Sequence, residues 1–333
     1  MKRHYLFLFL AVGLMMQTAA WAQGPNNSGT YYQAADGKSG AMLKTALCGI
    51  IYNRTERTYG ELWQDFMTTD VKADGSVWDM YSGTSHFTFG TDQDKGSGGT
   101  VEGEYYNREH SFPNSWFGSK VQPMYTDLHH IYPTDKLVNN KRSNNPLGEN
   151  GGEKYLSNNG FSKLGKCTVK GYDGTVFEPN DEYKGDFART YFYMVTCYEE
   201  KLPDWYNANL ESQPTLDGKT YPGLSAWQLE MLMKWAAADP VSQKETDRNN
   251  AVWEIQNNRN PFIDYPGLEE YIWGAKQQVP FKYAVESDGI IDLAKQQKTT
   301  NTRNVFRLSG QRADSTNLRK GIYINKRRKK LVK

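Results

Sequence analysis

Apolar residues along this chain change their spacing several times, and each change marks an element. From Ala41 to Thr55, Met42, Leu43, Ala46, Leu47, Ile50 and Ile51 recur at helical spacing, and a second such pattern runs from Tyr59 to Thr68. A long aromatic helix is predicted from Asp186 to Glu200, with amphipathic helices at Ala226 to Ala238, ended by Asp239-Pro240, and at Glu245 to Gln256. Between the second and third helices the pattern turns extended. Tyr105 to His110 reads as a short aromatic-flanked strand, Asp127 to Tyr132 as an extended piece, and Lys166 to Phe177 as strand around a turn at Gly174. Pro133-Thr134-Asp135 is a helix start, with Thr134 or Asp135 able to cap free amides, and Asn145-Pro146-Leu147-Gly148 is a stop. The polar helix between them places Asn139 and Arg142, three residues apart, on one face. The glycine- and charge-rich run from Gly90 to Gly103 reads as an exposed connector, metal binding by Asp92 or Asp94 being the lesser alternative. Residues 276–302 show no core pattern beyond a short strand at Val279 to Val285 and read as a linker. The pattern predicts one mixed α+β domain, mostly helical, over residues 23–275.

The two ends differ from this body. Lys2, Arg3 and His4 precede an apolar run from Tyr5 to Met16 and a small-residue site at Ala20-Trp21-Ala22, the build of a secretory signal peptide over residues 1–22. No later segment approaches the length of a membrane span, so the expectation is an exported protein without stable membrane insertion, acting as a monomer. At the other end, residues 303–333 alternate apolar and polar positions around a glycine turn: Val305 to Arg312, Gly321 to Asn325, Leu331 to Lys333. The formal net charge of +2 hides a division: residues 301–333 hold eleven Lys or Arg and one acid. Without that tail and the signal, 27 basic residues face 37 acidic ones, a net of about −10. A nonspecific nucleic-acid binder is ordinarily basic, so such a function here demands a local cationic patch or a bound cation. Cys48, Cys167 and Cys197 lie far apart, allow at most one intramolecular disulfide, and make a cysteine-held zinc improbable.

Chemistry concentrates in two stretches. Tyr105-Tyr106-Asn107-Arg108-Glu109-His110-Ser111-Phe112-Pro113 sets a carboxylate beside an imidazole, and Asp127 to Asn144 adds two histidines and a polar helix. A neutral imidazole takes a proton from water near pH 7. Glu and Asn supply hard oxygen ligands suited to Mg²⁺ or Ca²⁺ rather than Zn²⁺. These are the parts of a metal-assisted phosphodiester hydrolase. One tension is built in, since adjacent strand residues point to opposite faces, and Glu109 and His110 share a site only at a twisted strand end or bulge.

At Glu109-His110, Pro113, Trp116-Phe117-Gly118, Asp127-Leu128-His129, Pro133, Val138-Asn139 and Arg142-Ser143-Asn144 the chain resembles the bacterial endonuclease I family, within the ββα-metal class of nucleases. Phe177-Glu178-Pro179, Lys184 to Arg189 and Asn257 to Pro266 extend the likeness over roughly residues 30 to 275. The resemblance implies a ββα-metal core and an exported, metal-dependent endonuclease that cuts DNA, and RNA with it, without sequence preference, leaving 5′-phosphate ends. It implies His110 as general base, and Glu109 and Asn139 as ligands of Mg²⁺, with Ca²⁺ or Mn²⁺ as substitutes. Asn140 and Asn144 read as capping or solvent-facing neighbours. The family's longer segment after the active strand carries a phosphate-gripping arginine, and Gly118 to Asp127 here is short and lacks it. Arg142, Arg189 and Arg259 are the substitutes on offer, each otherwise an ordinary ion-pair residue, Arg142 and Arg189 ahead of Arg259. Lys120 reads as a solvated lysine before a phosphate contact. Asp127, His129 and His130 are expected to orient the site. Trp227, Trp235 and Trp253 read as core before base platform. The C-terminal tail resembles the end of the sorting segment that Bacteroidetes-type bacteria use for export, with a basic surface-binding tail as the rival. The functional rivals are a phosphodiesterase on a small or lipid substrate and an inactive secreted binding module.

Overall fold

The computed structural model describes residues 22–284 and, further on, four short strands between residues 305 and 332. The signal-peptide expectation and most of the linker expectation fall outside the described residues. The chain divides at Ala284 into two units.

The first unit is an α+β fold in which helices carry the core and the sheets are small. At its centre runs α4 (Lys184–Cys197), in which every residue from Gly185 to Cys197 is buried. A helix covered on all sides needs partners all round. It has them in α1 (Gly40–Ile51), α6 (Ala226–Ala238) and α8 (Pro261–Asp264). Leu43, Leu47 and Ile51 of α1, and Trp227, Met231, Leu232 and Trp235 of α6, are the apolar stripes that face the core. The other helices are α2 (Leu62–Thr69), α3 (Lys136–Arg142), α5 (Leu202–Ala208), α7 (Gln243–Gln256) and α9 (Leu268–Ile272). α7 starts at a reciprocal cap between Ser242 and Glu245 and ends at Asn257 in the left-handed conformation.

Three antiparallel pairings complete the unit. β1 (Tyr106–His110) pairs with β2 (Ile131–Asp135), and β3 (Tyr155–Leu156), β4 (Lys163–Lys166) and β5 (Thr175–Glu178) form a second sheet in that order. Pro133 lies inside β2 opposite Arg108, a place a proline tolerates because a two-stranded ribbon is all edge. The helix start comes two residues later, where the Asp135 carboxylate caps α3 by accepting from the Val138 amide. α3 ends at Arg142, short of the Pro146 stop.

Other differences follow from packing. Trp253 is half-buried rather than core, edge-on to Tyr31. Residues 279–284 form no strand; Phe281 instead exchanges backbone hydrogen bonds with Gly37 and Lys38, and Phe281 and Tyr283 are buried, so the packed unit runs past residue 275. The Gly90–Gly103 connector is tied down: Asp92 and Asp94 bond to the Tyr106 backbone, and Lys136 pairs with Asp94 at 2.7 Å. All three cysteines are free thiols.

The second unit contains β6 (Val305–Arg307), β7 (Arg312–Ala313), β8 (Gly321–Asn325) and β9 (Arg328–Val332) in one antiparallel sheet of order β7-β6-β8-β9.

Candidate active site

β1, β2 and α3 follow one another in space as a strand, a strand and a helix. Alternation along β1 puts Asn107 and Glu109 on one face, Arg108 and His110 on the other. The Asn107/Glu109 face meets the side of α3 that carries Asn139 and Arg142. The contact is matched pairwise: Asn139 Nδ2 donates to Asn107 Oδ1 at 2.8 Å, and Arg142 Nη1 donates to Glu109 Oε1 at 2.8 Å. A spacing of two on the strand answers a spacing of three on the helix.

His110 is the last residue of β1, and there the two faces converge. Glu109, His110 and Asn139 all line one cavity of about 270 Å³, with Tyr59, Arg108 and Asn114 among its other walls. The strand end resolves the conflict that alternation sets up for neighbouring residues. Ser143, also on the wall, caps α3 with φ of 54°, a conformation seldom adopted by a residue with a Cβ.

Each of the three has one polar atom held by the protein and one left over. Glu109 is buried, and Tyr81 Oη and Arg142 Nη1 both donate to its Oε1, each at 2.8 Å. Its Oε2 has no protein partner among the described residues and stays open to solvent. Burial pushes the Glu109 carboxyl above its ordinary pKa, and the Arg142 guanidinium draws it partly back. Asn139, with its amide nitrogen engaged by Asn107, keeps Oδ1 free. His110 Nε2 lies 3.0 Å from the Tyr125 carbonyl, which only accepts, so Nε2 carries the proton and Nδ1 keeps its lone pair. Nδ1 has no protein partner and is open to solvent. The ring is stacked on Tyr125 (centroids 5.2 Å apart, 12° between planes), which in turn stacks on Tyr59 at 4.5 Å. Burial, then the neighbouring His130, push the His110 pKa down to about 3, so the imidazole is neutral at pH 7.

The donor set fits a hard divalent cation in kind: one carboxylate oxygen and one amide oxygen, both free and on one cavity, leaving further positions for water and phosphate. Among the described residues there is no cluster of three or more His, Cys, Asp and Glu side chains suited to a metal.

Asp127 is a buried hub. Its Oδ1 accepts from the His129 amide and Gln256 Nε2, its Oδ2 from the Tyr193 and Tyr198 hydroxyls, and Arg54 stands 3.5 Å away. Arg54 first, then His129 and His130, hold its carboxyl well below the usual range against burial. The hub fixes the turn that ends in His130, whose carbonyl accepts from both Ser111 N and Ser111 Oγ just past His110. His129 and His130 anchor their own rings on the Asn258 and Met124 carbonyls and do not line the cavity.

The sequence profile of the Endonuclease I family matches residues 39–267. The chain belongs to the endonuclease I family. It is 37% identical over 270 residues to a protein named extracellular ribonuclease from Bacillus amyloliquefaciens, covering 78% of this chain and 84% of that one. It is 35% identical, with the same coverage, to the extracellular ribonuclease of Bacillus subtilis (strain 168). A protein named extracellular deoxyribonuclease from Aeromonas hydrophila is 26% identical over 140 residues, 41% of this chain and 49% of that one. By family the chain is a nuclease and hence a hydrolase. No helix among the described residues is long and apolar enough to cross a membrane.

In this endonuclease I chain the arginines expected to hold phosphate are engaged elsewhere. Arg189 pairs through Nε and Nη2 with Glu245, and Arg259 pairs through both with Asp264; neither lines the cavity. Arg142 does line it, yet is almost fully buried, with Glu109, the His110 and Ser111 carbonyls and the Tyr191 hydroxyl as its partners. Its place is behind Glu109, holding that carboxylate and the end of β1. Lys120 is exposed and away from the cavity. Sequence reasoning missed Arg108 and Tyr59, which form the cavity wall beside His110, and Asn107 and Tyr81, which orient Asn139 and Glu109. Strand period alone marks Arg108 and Asn107, as residues that share a face with His110 and Glu109 respectively; nothing local marks Tyr59 or Tyr81.

Proposed function

We propose that this chain is an exported, divalent-metal-dependent endonuclease that hydrolyses phosphodiester bonds of DNA and RNA without sequence preference, leaving 5′-phosphate ends. The observation that carries this is that Glu109, His110 and Asn139 line one cavity, with Glu109 Oε2, His110 Nδ1 and Asn139 Oδ1 lacking a hydrogen-bond partner among the described residues. The names of the Bacillus relatives support RNA as a substrate, and that of the Aeromonas relative supports DNA.

His110 works as the general base. Its Nε2 is fixed on the Tyr125 carbonyl, so Nδ1 is the unprotonated nitrogen, the one that accepts a proton from water. An imidazole with so low a pKa is a weak base, and the phosphate's negative charge, arriving beside it, raises that pKa and makes proton transfer easier. Glu109 and Asn139 would hold Mg²⁺, or Ca²⁺ or Mn²⁺ in its place. Such an ion, when bound, neutralises charge on the phosphoryl oxygens and acidifies a water able to protonate the leaving 3′ oxygen. Arg142 keeps the Glu109 carboxylate fixed throughout, and Tyr81 holds the same oxygen from the other side. Contacts to the backbone rather than base edges account for indifference to sequence. On this reading β1, β2 and α3, which follow one another as strand, strand and helix and carry these residues, serve as a ββα-metal core. Residues 303–333, whose pattern resembles the end of a sorting segment, would serve export.

The test is digestion of plasmid DNA and of a structureless RNA with Mg²⁺, with and without EDTA, alongside His110→Ala. Fragmentation that disappears with either treatment supports the reading. Intact polymer together with hydrolysis of a small or lipid phosphodiester moves the activity to that substrate class, and binding without cleavage makes the chain a binding module.

A further inference from the structure

Seven arginines lie between residues 22 and 284: Arg54, Arg57, Arg108, Arg142, Arg189, Arg248 and Arg259. Six of them pair with a carboxylate, namely Asp127, Asp65, Glu109, Glu245, Asp70 and Asp264 in that order. Arg108 alone has no carboxylate within ion-pairing distance among the described residues, and it stands on the wall of the catalytic cavity. In a body with a net charge of about −10 an uncompensated guanidinium at that spot calls for an anion.

The side chain is fixed, not free to wander. Its Cζ lies 3.5 Å from the centroid of the Tyr59 ring and 4.1 Å from that of Trp63, and its Nη1 donates to the Tyr59 carbonyl at 2.5 Å. Tyr59 in turn stacks on Tyr125, on which the His110 ring lies. Arg108 and the general base are therefore mounted on one aromatic stack, and on one face of β1 two residues apart, about 7 Å along a strand. Nε is buried without an acceptor, whereas Nη2 is unpartnered and open to solvent. With Nε buried and Nη1 on the Tyr59 carbonyl, the Nη2 end of the guanidinium is the one available to a phosphate oxygen.

Resting on the nuclease reading above, we propose that Arg108 is the residue that grips a phosphate of the strand being cut, held in place by Tyr59 and Trp63.

The experiment measures binding of a fluorescent single-stranded oligonucleotide by the full chain carrying His110→Ala, across a range of salt concentrations, with and without Arg108→Gln or Arg108→Lys. Cleavage by wild type and by the Arg108 single variants is measured in parallel. Arg108→Gln should weaken binding about ten- to a hundredfold and lower the slope of log affinity against log salt by about 0.7, the share of one phosphate contact on a single strand. Arg108→Lys should keep the slope and lose part of the affinity, since an ammonium keeps the charge but not the fork. A merely structural arginine moves melting temperature and not the salt slope. If the His110→Ala parent binds, and affinity and slope are unchanged in the Gln variant, the proposal is overturned. Should the Gln variant not fold, a Lys variant indistinguishable from wild type in both affinity and cleavage overturns it equally. A wild-type chain that neither cuts nor binds nucleic acid overturns the nuclease reading itself.

Discussion

Arg142 has a carboxylate, two carbonyls and a hydroxyl as partners, and is only 1% exposed. Truncating it leaves Glu109 buried without its counter-charge and frees the end of β1. Loss of one partner of a buried pair costs about 3–5 kcal/mol. Arg142→Ala should therefore lower unfolding free energy by that order in urea melts, and abolish cleavage through the displaced Glu109. Unchanged stability would mean that Arg142 is not the brace described. A second residue-scale prediction concerns acid. Burial, as the leading cause, lowers His129 and His130 to about 4, against 6.5 for the free side chain. A depressed histidine is neutral when folded and protonates readily when unfolded, so the stability it allows is fully present above pH 6.5 and declines as pH falls from there to about 4. Asp127 acts with the same sign lower down: its carboxyl is held below the ordinary value, so its contribution persists until pH falls under about 4 and is lost beyond. Urea melts between pH 8 and 4 should show stability dropping with acid from about pH 6.5. His129→Gln together with His130→Gln should make that part of the curve shallower, the buried His110, lowered to about 3, supplying what remains, and an unaltered slope in the double variant rules the pair out as a source.

At the scale of elements, what the chain discloses by itself is what depends on local spacing. The helices of α1, α2, α4, α6 and α7 are legible because their apolar positions recur with a helix's period, and their ends move by only a few residues on folding. β1 is legible as a short aromatic-flanked run. Glu109, His110 and Asn139 are singled out in sequence by the family resemblance, with residue types that suit the chemistry; that they share a cavity depends on β1 ending at His110 and on α3 presenting its Asn139–Arg142 side to Asn107 and Glu109, which no spacing discloses. The availability of an arginine is likewise tertiary. Arg142 and Arg189, and after them Arg259, look able to hold phosphate in sequence, and only folding shows that Glu109, Glu245 and Asp264 occupy them. The polar face of α7 is the same lesson, since Glu245, Arg248, Asn249 and Gln256 are buried there in hydrogen bonds that a hydrophobic pattern cannot foresee. Its cap can be tested. Ser242 Oγ accepts from the Glu245 amide at 3.2 Å and Glu245 Oε2 returns to the Ser242 amide at 2.8 Å. Ser242→Ala should cost about 1 kcal/mol in a chemical melt. Because Glu245 also holds Arg189, a loss well above 2 kcal/mol would show that the cap and that ion pair are coupled.

For the whole molecule the question is where the catalytic unit stops, and the packing of Phe281 and Tyr283 gives an answer that the hydrophobic pattern withholds. Each is buried, 3% and 8% exposed, and each is anchored by backbone bonds: Gly37 N to Phe281 O, Phe281 N to Lys38 O, and Tyr283 N to the Asp36 carboxylate at 3.2 Å. The two lie in a run of Gln, Lys, Val and Pro with no period, which is why residues 276–284 read as linker from sequence. Fully burying one large apolar side chain is worth about 1.5–3 kcal/mol, so removing both costs about 3–6 kcal/mol, a large share of a domain's usual margin. Two truncations separate the boundaries. A chain ending at Ala284 should unfold at the same urea concentration as the full protein and keep its kcat on a short oligonucleotide. A chain ending at Ala275 should lose stability by that amount or fail to accumulate in folded form. The first truncation also removes the eleven Lys and Arg of residues 301–333. If those charges add only diffuse attraction, long DNA should bind the truncated chain more weakly at low salt and equally at high salt, with kcat unchanged in both. A fall in kcat at high salt, in a truncated chain that melts normally, would instead give the C-terminal unit a direct part in catalysis.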